Sequence, residues 1–120
     1  MNDFHGRAVL LVEDNDQLRR VLSISLRALG FDVCAAADAD EARTLLTNGL
    51  TIDLLLSDVR MQSADDGAQL ARWVAEQWPA TRVLLQTGYA EGDTAGFPVI
   101  NKPFNLDELR AKIASILVPA

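Results

Sequence analysis

The stretch Asp53-Leu54-Leu55-Leu56-Ser57-Asp58 contains three consecutive leucines and ends on an acidic residue. A short apolar run of this kind is typical of a central strand in a parallel sheet, because both faces of such a strand are buried. We therefore expect a strand from Leu54 to Asp58. Ligands of open α/β sheets bind beyond the carboxyl ends of the strands, so Asp58 is a candidate functional residue.

Short apolar runs and longer stretches with helical spacing alternate on both sides of this strand. The pattern predicts an α/β fold with a parallel sheet of five strands and crossover helices. The other four strands are predicted at Ala8–Val12, Asp32–Ala36, Val83–Gln86 and Val99–Ile100. Helices are predicted from Leu18 to Leu29, from Asp38 to Asn48, from Gly67 to Trp78 and from Asn105 to Leu117, with capping boxes at Asp38/Glu41 and Asn105/Glu108.

Length and composition favour one domain spanning residues 1–120. The chain is 49% hydrophobic and 23% charged, which is ordinary for a globular protein, and no apolar run reaches the ~20 residues that span a bilayer. The formal net charge of −6, without a basic run, predicts no direct contact with nucleic acid. A single cysteine, Cys34, and an N-terminus without a secretory pattern predict a cytoplasmic location and no membrane partner.

Five polar residues follow the predicted strands at their carboxyl ends. Glu13 and Asp14 follow the first strand, Asp58 ends the third, Thr87 follows the fourth and Lys102 follows the fifth. Three carboxylates in one small space repel each other, so they either take up protons or bind a hard cation. Oxygen ligands of this kind suit Mg²⁺, and we therefore expect a Mg²⁺ site at this edge of the sheet.

A carboxylate beside such a cation can act as a nucleophile toward phosphorus. Asp58 is the best placed, because it ends the most buried strand, whereas the Glu13-Asp14 pair is better suited to hold the ion. Thr87 can donate a hydrogen bond to a phosphoryl oxygen, and Lys102 can neutralise another. Positioning and charge stabilisation are most of what phosphoryl transfer requires.

Four short motifs in this order resemble the receiver domains of bacterial two-component signalling over nearly the whole chain. They are Val12-Glu13-Asp14, Leu56-Ser57-Asp58-Val59-Arg60-Met61, Thr87-Gly88 and Asn101-Lys102-Pro103-Phe104. The resemblance implies a flavodoxin-like doubly wound sheet of order 2-1-3-4-5 and a cis Lys102-Pro103 bond. It implies Asp58 as phosphoacceptor, Asp14, Asp58 and the Arg60 backbone carbonyl as direct Mg²⁺ ligands, Glu13 as a ligand through water, and Thr87 and Lys102 as groups that sense the phosphoryl group.

The resemblance also implies a histidine kinase or a histidine phosphotransfer protein as the phosphodonor, and it allows a weak homodimer. The domain would be a phosphorylatable signalling switch rather than an enzyme. Three alternative functions fit the sequence less well. A metal-dependent phosphohydrolase needs a second carboxylate just beyond its nucleophile, where this chain has Arg60. A flavin-binding module needs a phosphate-binding loop rich in Ser, Thr and Gly after strand one, where this chain has acidic residues. A degenerate receiver used only for docking would not retain all five polar residues.

Two segments depart from the receiver pattern. Gln62 stands where most receivers have proline, and the loop that follows is one residue longer. The interval from Thr87 to Lys102 is shorter by about two helical turns, which predicts that the helix between strands four and five is short or missing. Val99 replaces the usual aromatic switch residue, so Tyr89 is the switch candidate, in a Thr-Gly-Tyr turn that resembles a receiver subclass. We hypothesise that phosphorylation orders residues 88–97.

Overall fold

The computed structural model describes residues 4–61, 66–88 and 94–117. These residues form five strands and four helices, which alternate along the chain except that the fifth strand is the next element after the fourth. The strands are β1 (Ala8–Val12), β2 (Asp32–Ala36), β3 (Leu54–Asp58), β4 (Arg82–Thr87) and β5 (Val99–Asn101). The helices are α1 (Asp16–Ala28), α2 (Ala39–Thr47), α3 (Asp66–Gln77) and α4 (Leu106–Ile116).

All strand pairs are parallel, and the sheet has the order β2-β1-β3-β4-β5. This confirms the predicted α/β class and the doubly wound, flavodoxin-like strand order. β3 lies at the centre of the sheet, and every one of its residues is buried. Its last residue, Asp58, pairs in register with Gln86 of β4.

The consecutive leucines of β3 supply two different cores. Neighbouring residues of a strand point to opposite faces, and Leu56 packs on one face with α1 and α4, while Leu55 packs on the other with α2 and α3. The same alternation holds for Leu11 and Leu10 of β1. A continuous apolar run is therefore what this position in the sheet requires, since helices cover both faces.

Capping residues fix where the helices begin at the carboxyl edge of the sheet. Asn15 caps α1 by accepting a hydrogen bond from the amide of Leu18. Asn105 and Glu108 form the predicted reciprocal capping box at α4. At α2, Asp38 accepts from the amide of Glu41, but the Glu41 carboxylate accepts from Ala37 rather than from Asp38.

The connection between β4 and β5 covers residues 88–98. Its described residues are Gly88 and 94–98, and none of them is helical. In the segment 94–98 the amide of Phe97 donates to the carbonyl of Thr94. Tyr89 and the rest of 89–93, like Gln62 and its loop, lie outside the described residues. The shortened helix therefore stays a prediction.

Among the described residues, none of the helices has the length and apolar character needed to span a membrane.

Candidate functional site

Three carboxylates meet at the carboxyl edge of the sheet, at the ends of β1 and β3. Glu13 and Asp14 follow β1 directly, and Asp58 ends β3. One carboxylate oxygen from each of these residues lies within 4.8 Å of the other two. The structure thus brings together the three acidic residues that the sequence selects.

Glu13 is held more tightly than its neighbours. Its side chain is 1% exposed, and its Oε2 atom accepts a hydrogen bond from the amide of Asn15 at 3.1 Å. Its Oε1 atom accepts from Nε2 of Gln86 at 3.1 Å and from Nζ of Lys102 at 3.3 Å. Three N–H donors therefore fix the orientation of a buried carboxylate, as a buried charge requires.

Lys102 links the two buried carboxylates. Its Nζ atom lies 2.7 Å from Oδ1 of Asp58 and 3.3 Å from Oε1 of Glu13. Its backbone amide donates to the carbonyl of Thr87 at 2.8 Å, which ties the segment after β5 to the end of β4. The Lys102-Pro103 peptide bond is cis, as the resemblance implies.

The remaining candidates are placed less completely. Thr87 is half-buried at the end of β4, at the same edge of the sheet. Arg60 follows Asp58 by two residues and has an exposed side chain. Tyr89 lies outside the described residues.

The start of α3 packs directly on the backbone of Asp58. The amide of Gly67 donates to the carbonyl of Val59 at 2.9 Å. A Cβ atom at Gly67 would lie 1.7 Å from the carbonyl oxygen of Asp58. Any other residue at this position would therefore clash with that backbone and displace it. Gly67 therefore allows the start of α3 to approach the backbone at the end of β3.

The electrostatics of the site favour one proton on the buried carboxylates. Burial and the neighbouring Glu13 carboxylate raise the pKa of Asp58 to about 7, against the opposing effect of Lys102. Burial would also raise the pKa of Glu13, but hydrogen bonds from Asp58 and Asn15, with the charge of Lys102, outweigh it and lower the pKa. Asp58 is thus the carboxyl group that holds a proton near neutral pH.

The other two charged groups shift in the directions that this arrangement requires. Partial burial and the proximity of Glu13 raise the pKa of Asp14. Burial would lower the pKa of Lys102, but the hydrogen bond and charge of Asp58, followed by those of Glu13, outweigh it and raise the pKa. Three carboxylates share one lysine, so the site retains net negative charge.

This donor set fits a small divalent cation. All three side chains offer carboxylate oxygens, which are the ligands that Mg²⁺ prefers. A cation there would relieve the repulsion that raises the pKa of Asp58, and it would leave that carboxylate ionised. The ammonium of Lys102 contacts Asp58 directly and would add a second positive charge beside the same carboxylate.

Two residues of the site were not singled out by the sequence. Gln86 was placed within a strand without a role, yet it is fully buried and donates to Glu13. The sequence feature that could have indicated a role for Gln86 is a polar side chain directly after Val83, Leu84 and Leu85 in a predicted buried strand. Gly67 was recognised only as the start of a helix, and no local pattern reveals its contact with Asp58.

Comparison with known proteins identifies the family of this chain. Residues 9–114 match the response regulator receiver domain. The chain therefore belongs to the receiver domain family, whose members are signalling switches of two-component systems. The chain matches curated relatives over only part of their own length.

Three curated relatives illustrate this. The chain is 32% identical to response regulator protein PilR of Pseudomonas aeruginosa, over 90% of this chain and 25% of PilR. It is 33% identical to sensor kinase CckA of Brucella abortus, over 96% of this chain and 13% of CckA. It is 32% identical to DNA-binding transcriptional regulator NtrC of Proteus hauseri, over 88% of this chain and 23% of NtrC.

The chain thus spans a quarter or less of these curated relatives. One of them is named as a DNA-binding regulator. The sequence-based prediction that nucleic acid is not a partner is therefore unsupported, because it rested on the charge of this domain alone.

Solved structures confirm the fold. Chemotaxis protein CheY4 of Vibrio cholerae superposes with a TM-score of 0.81 at 27% identity, covering 92% of this chain and 98% of CheY4. Response regulator protein TrrA of Thermotoga maritima, solved in complex with Mg²⁺ and BeF, gives a TM-score of 0.79 at 24% identity, covering 91% of this chain and 97% of TrrA.

Proposed function

We propose that Asp58 accepts a phosphoryl group from a phosphohistidine on a histidine kinase or a histidine phosphotransfer protein, with Mg²⁺ bound beside it. The proposal treats residues 1–120 as one receiver domain that acts in the cytoplasm. One observation carries it: the carboxylates of Glu13, Asp14 and Asp58 converge within 4.8 Å, and the ammonium of Lys102 lies 2.7 Å from Asp58.

The chemistry follows from the placement of these side chains. An oxygen of Asp58 forms a bond to phosphorus while the bond from phosphorus to the histidine nitrogen breaks, and the product is an acyl phosphate on Asp58. When bound, Mg²⁺ neutralises the carboxylates and binds oxygens of the transferring phosphoryl group. Lys102 is already in contact with Asp58, so its charge is available to a phosphoryl oxygen with little movement.

The other residues have roles that fit their positions. Asp14 and Asp58 are proposed as direct Mg²⁺ ligands with the backbone carbonyl of Arg60, and Glu13 as a ligand through water. Thr87 is proposed to donate its hydroxyl to a phosphoryl oxygen. Its backbone already accepts from Lys102, so movement of one residue is coupled to the other. Tyr89, two residues further, is proposed as the switch residue.

The output is proposed to be a conformational change that another domain or protein detects. The relatives include both a response regulator and a sensor kinase, and the chain covers 25% and 13% of them. A receiver of either kind would use the same acceptor chemistry. This proposed conformational change involves the segment between β4 and β5. In the proposal, that segment contains a Thr-Gly-Tyr turn and a helix that is short or missing.

Beryllofluoride, which mimics a phosphoryl group on a carboxylate, tests the proposal. We expect a protein-bound ¹⁹F resonance when wild type is mixed with beryllofluoride and Mg²⁺, and none with Asp58→Asn. Asp40→Asn is the matched control, because the side chain of Asp40 is 97% exposed on α2. A bound resonance that persists in Asp58→Asn, or that forms equally well in EDTA, would overturn the proposal.

A further inference from the structure

The side chain of Gln86 is buried at the carboxyl edge of the sheet with one of its two polar atoms unsatisfied. It is 0% exposed and lies in β4 directly after three apolar residues. Its Nε2 atom donates to Oε1 of Glu13, whereas its Oε1 atom has no hydrogen-bond partner. Among the buried side-chain atoms of the described residues, Gln86 Oε1 is unique in this respect.

The position of this amide follows from the order of the strands. β3 lies between β1 and β4, and Gln86 is in register with Asp58. The side chain of Gln86 therefore reaches past the end of β3 to a carboxylate that follows β1. Its main chain is also engaged, because its carbonyl accepts from the amide of Val59 at 3.0 Å. Both the backbone and the side chain of Gln86 thus support residues that flank the acceptor.

The two side-chain donors to Oε1 of Glu13 are not equivalent. Lys102 also contacts Asp58, at the shorter distance of 2.7 Å, so a new group on Asp58 competes for its ammonium. The side chain of Gln86 donates to Glu13, and strand β4 holds it in place. When Lys102 turns to a phosphoryl group, Gln86 is the donor that keeps Oε1 of Glu13 oriented.

A buried acceptor without a donor destabilises a fold, because it has lost its hydrogen bond to water. Leucine or methionine would fill the same space among Leu84 and its neighbours without that cost. The unpaired acceptor is therefore available to a donor that arrives with a ligand. A water molecule carried by a hydrated cation is such a donor, since Mg²⁺ usually keeps several of its waters in proteins.

We propose that Gln86 is a positioning residue for the cation site: its Nε2 atom fixes the Glu13 carboxylate, and its Oε1 atom accepts a hydrogen bond from a water bound to the cation. This inference rests on the proposed Mg²⁺ site and extends it to a residue that touches neither the phosphoryl group nor Asp58 through its side chain. Outer-shell partners of this kind orient the ligands of a metal and raise its affinity.

Gln86→Met separates this role from a merely structural one, because methionine has a similar volume and no amide. We expect Mg²⁺ binding, measured by isothermal titration calorimetry on the full chain, to weaken about tenfold. We expect the urea stability of the metal-free protein to change little, because removal of the unsatisfied acceptor offsets loss of the hydrogen bond to Glu13. A residue needed only for packing would show loss of stability instead, with the Mg²⁺ affinity unchanged.

A second readout distinguishes affinity from chemistry. With acetyl phosphate as the donor, the Mg²⁺ concentration for half-maximal phosphorylation should rise about tenfold in Gln86→Met, following the weaker binding. The rate at saturating Mg²⁺ should stay within about twofold of wild type, since Asp58 and Lys102 are intact. Leu84→Met is the matched control, as a conservative change in the buried part of the same strand.

The outcomes are distinguishable. If wild type binds Mg²⁺ and Gln86→Met binds it equally tightly, the role of Gln86 is overturned while the proposed function stands. If Gln86→Met and Leu84→Met weaken Mg²⁺ binding to the same extent, the effect comes from packing and the role of Gln86 is again overturned. If wild type binds no Mg²⁺, both the proposed function and the inference fail.

Discussion

The Nζ atom of Lys102 lies 2.7 Å from the Oδ1 atom of Asp58, although α3, β4 and β5 separate the two residues along the chain. This contact joins the end of the central strand to the segment after the edge strand β5. It places the positive charge of the Lys102 ammonium beside the carboxylate that we propose as the phosphoacceptor. A substitution of either residue therefore changes the electrostatics of the other.

Lys102→Met tests this pair. Methionine keeps much of the length of the side chain but leaves Asp58 and Glu13 without their shared cation, so the pKa of Asp58 should rise further. Phosphorylation by acetyl phosphate at neutral pH should slow about 100-fold, the effect of removing one group that stabilises developing charge. Lys112→Met on α4 is the matched control and should phosphorylate at the wild-type rate. Equal rates for Lys102→Met and wild type would contradict the assignment.

Stability in EDTA should depend on pH through Asp58. Its folded-state pKa of about 7 lies above the ordinary value, so the folded chain binds this proton more tightly than the unfolded chain does. The contribution is full below about pH 4, and it is lost as the pH rises to about 7. The shift corresponds to at most about 4 kcal/mol of stability, a value that already includes the opposing effect of Lys102.

Urea unfolding at pH 5 and pH 8 measures this dependence. Glu13, whose pKa is lowered, acts in the opposite direction, because its contribution is present above its ordinary pKa and is lost as the pH falls. The net loss of stability between the two pH values should therefore be much smaller in Asp58→Asn, which cannot lose the proton, and Asp14, whose pKa is also raised, supplies the remainder. Persistence of the full wild-type slope in Asp58→Asn would show that another group is responsible.

Gly67→Ala should damage the acceptor without touching a polar side chain. Its Cβ would lie 1.7 Å from the Asp58 carbonyl oxygen, so either α3 or the end of β3 must move. We expect a loss of about 2–3 kcal/mol in the free energy of unfolding. Gly88→Ala is the control, because a Cβ there meets nothing within 4 Å. Similar losses in both variants would remove the special role of Gly67.

The segment 88–97 should become protected when a phosphoryl group is present. Amide hydrogen exchange with beryllofluoride and Mg²⁺, compared with the metal-free protein, should slow in this segment, because Thr87 is drawn toward the acceptor. The exchange of β2, at the far edge of the sheet, supplies the internal reference. Unchanged protection of 88–97 in a sample whose Asp58 is occupied would refute loop ordering as the readout.

The gathering of the carboxylates was predictable from the sequence. Parallel strands end at the same edge of the sheet, so Glu13, Asp14 and Asp58 had to approach one another once the strands were recognised. The family resemblance added the strand order, which the observed sheet confirms. These features depend on local sequence patterns and on a general rule of sheet topology, so a single sequence is enough to predict them.

The roles of Gln86 and Gly67 were not predictable in the same way. The hydrogen bond from Gln86 to Glu13 spans two strands that are not neighbours, so it depends on the register of β1, β3 and β4 together. The approach of Gly67 to Asp58 depends on how closely α3 packs on β3. The pKa of Asp58 likewise requires knowledge of burial and of two partners, and composition reveals neither.

The most direct test of the central claim is whether Asp58 itself takes the phosphoryl group. Wild type, Asp58→Asn and Asp40→Asn would be incubated with acetyl phosphate and Mg²⁺, and the intact mass of each would be measured at once. We predict an adduct of one phosphoryl group on wild type and Asp40→Asn, and none on Asp58→Asn or in EDTA. An adduct of equal yield on Asp58→Asn, or none on wild type with any phosphodonor, would contradict the claim.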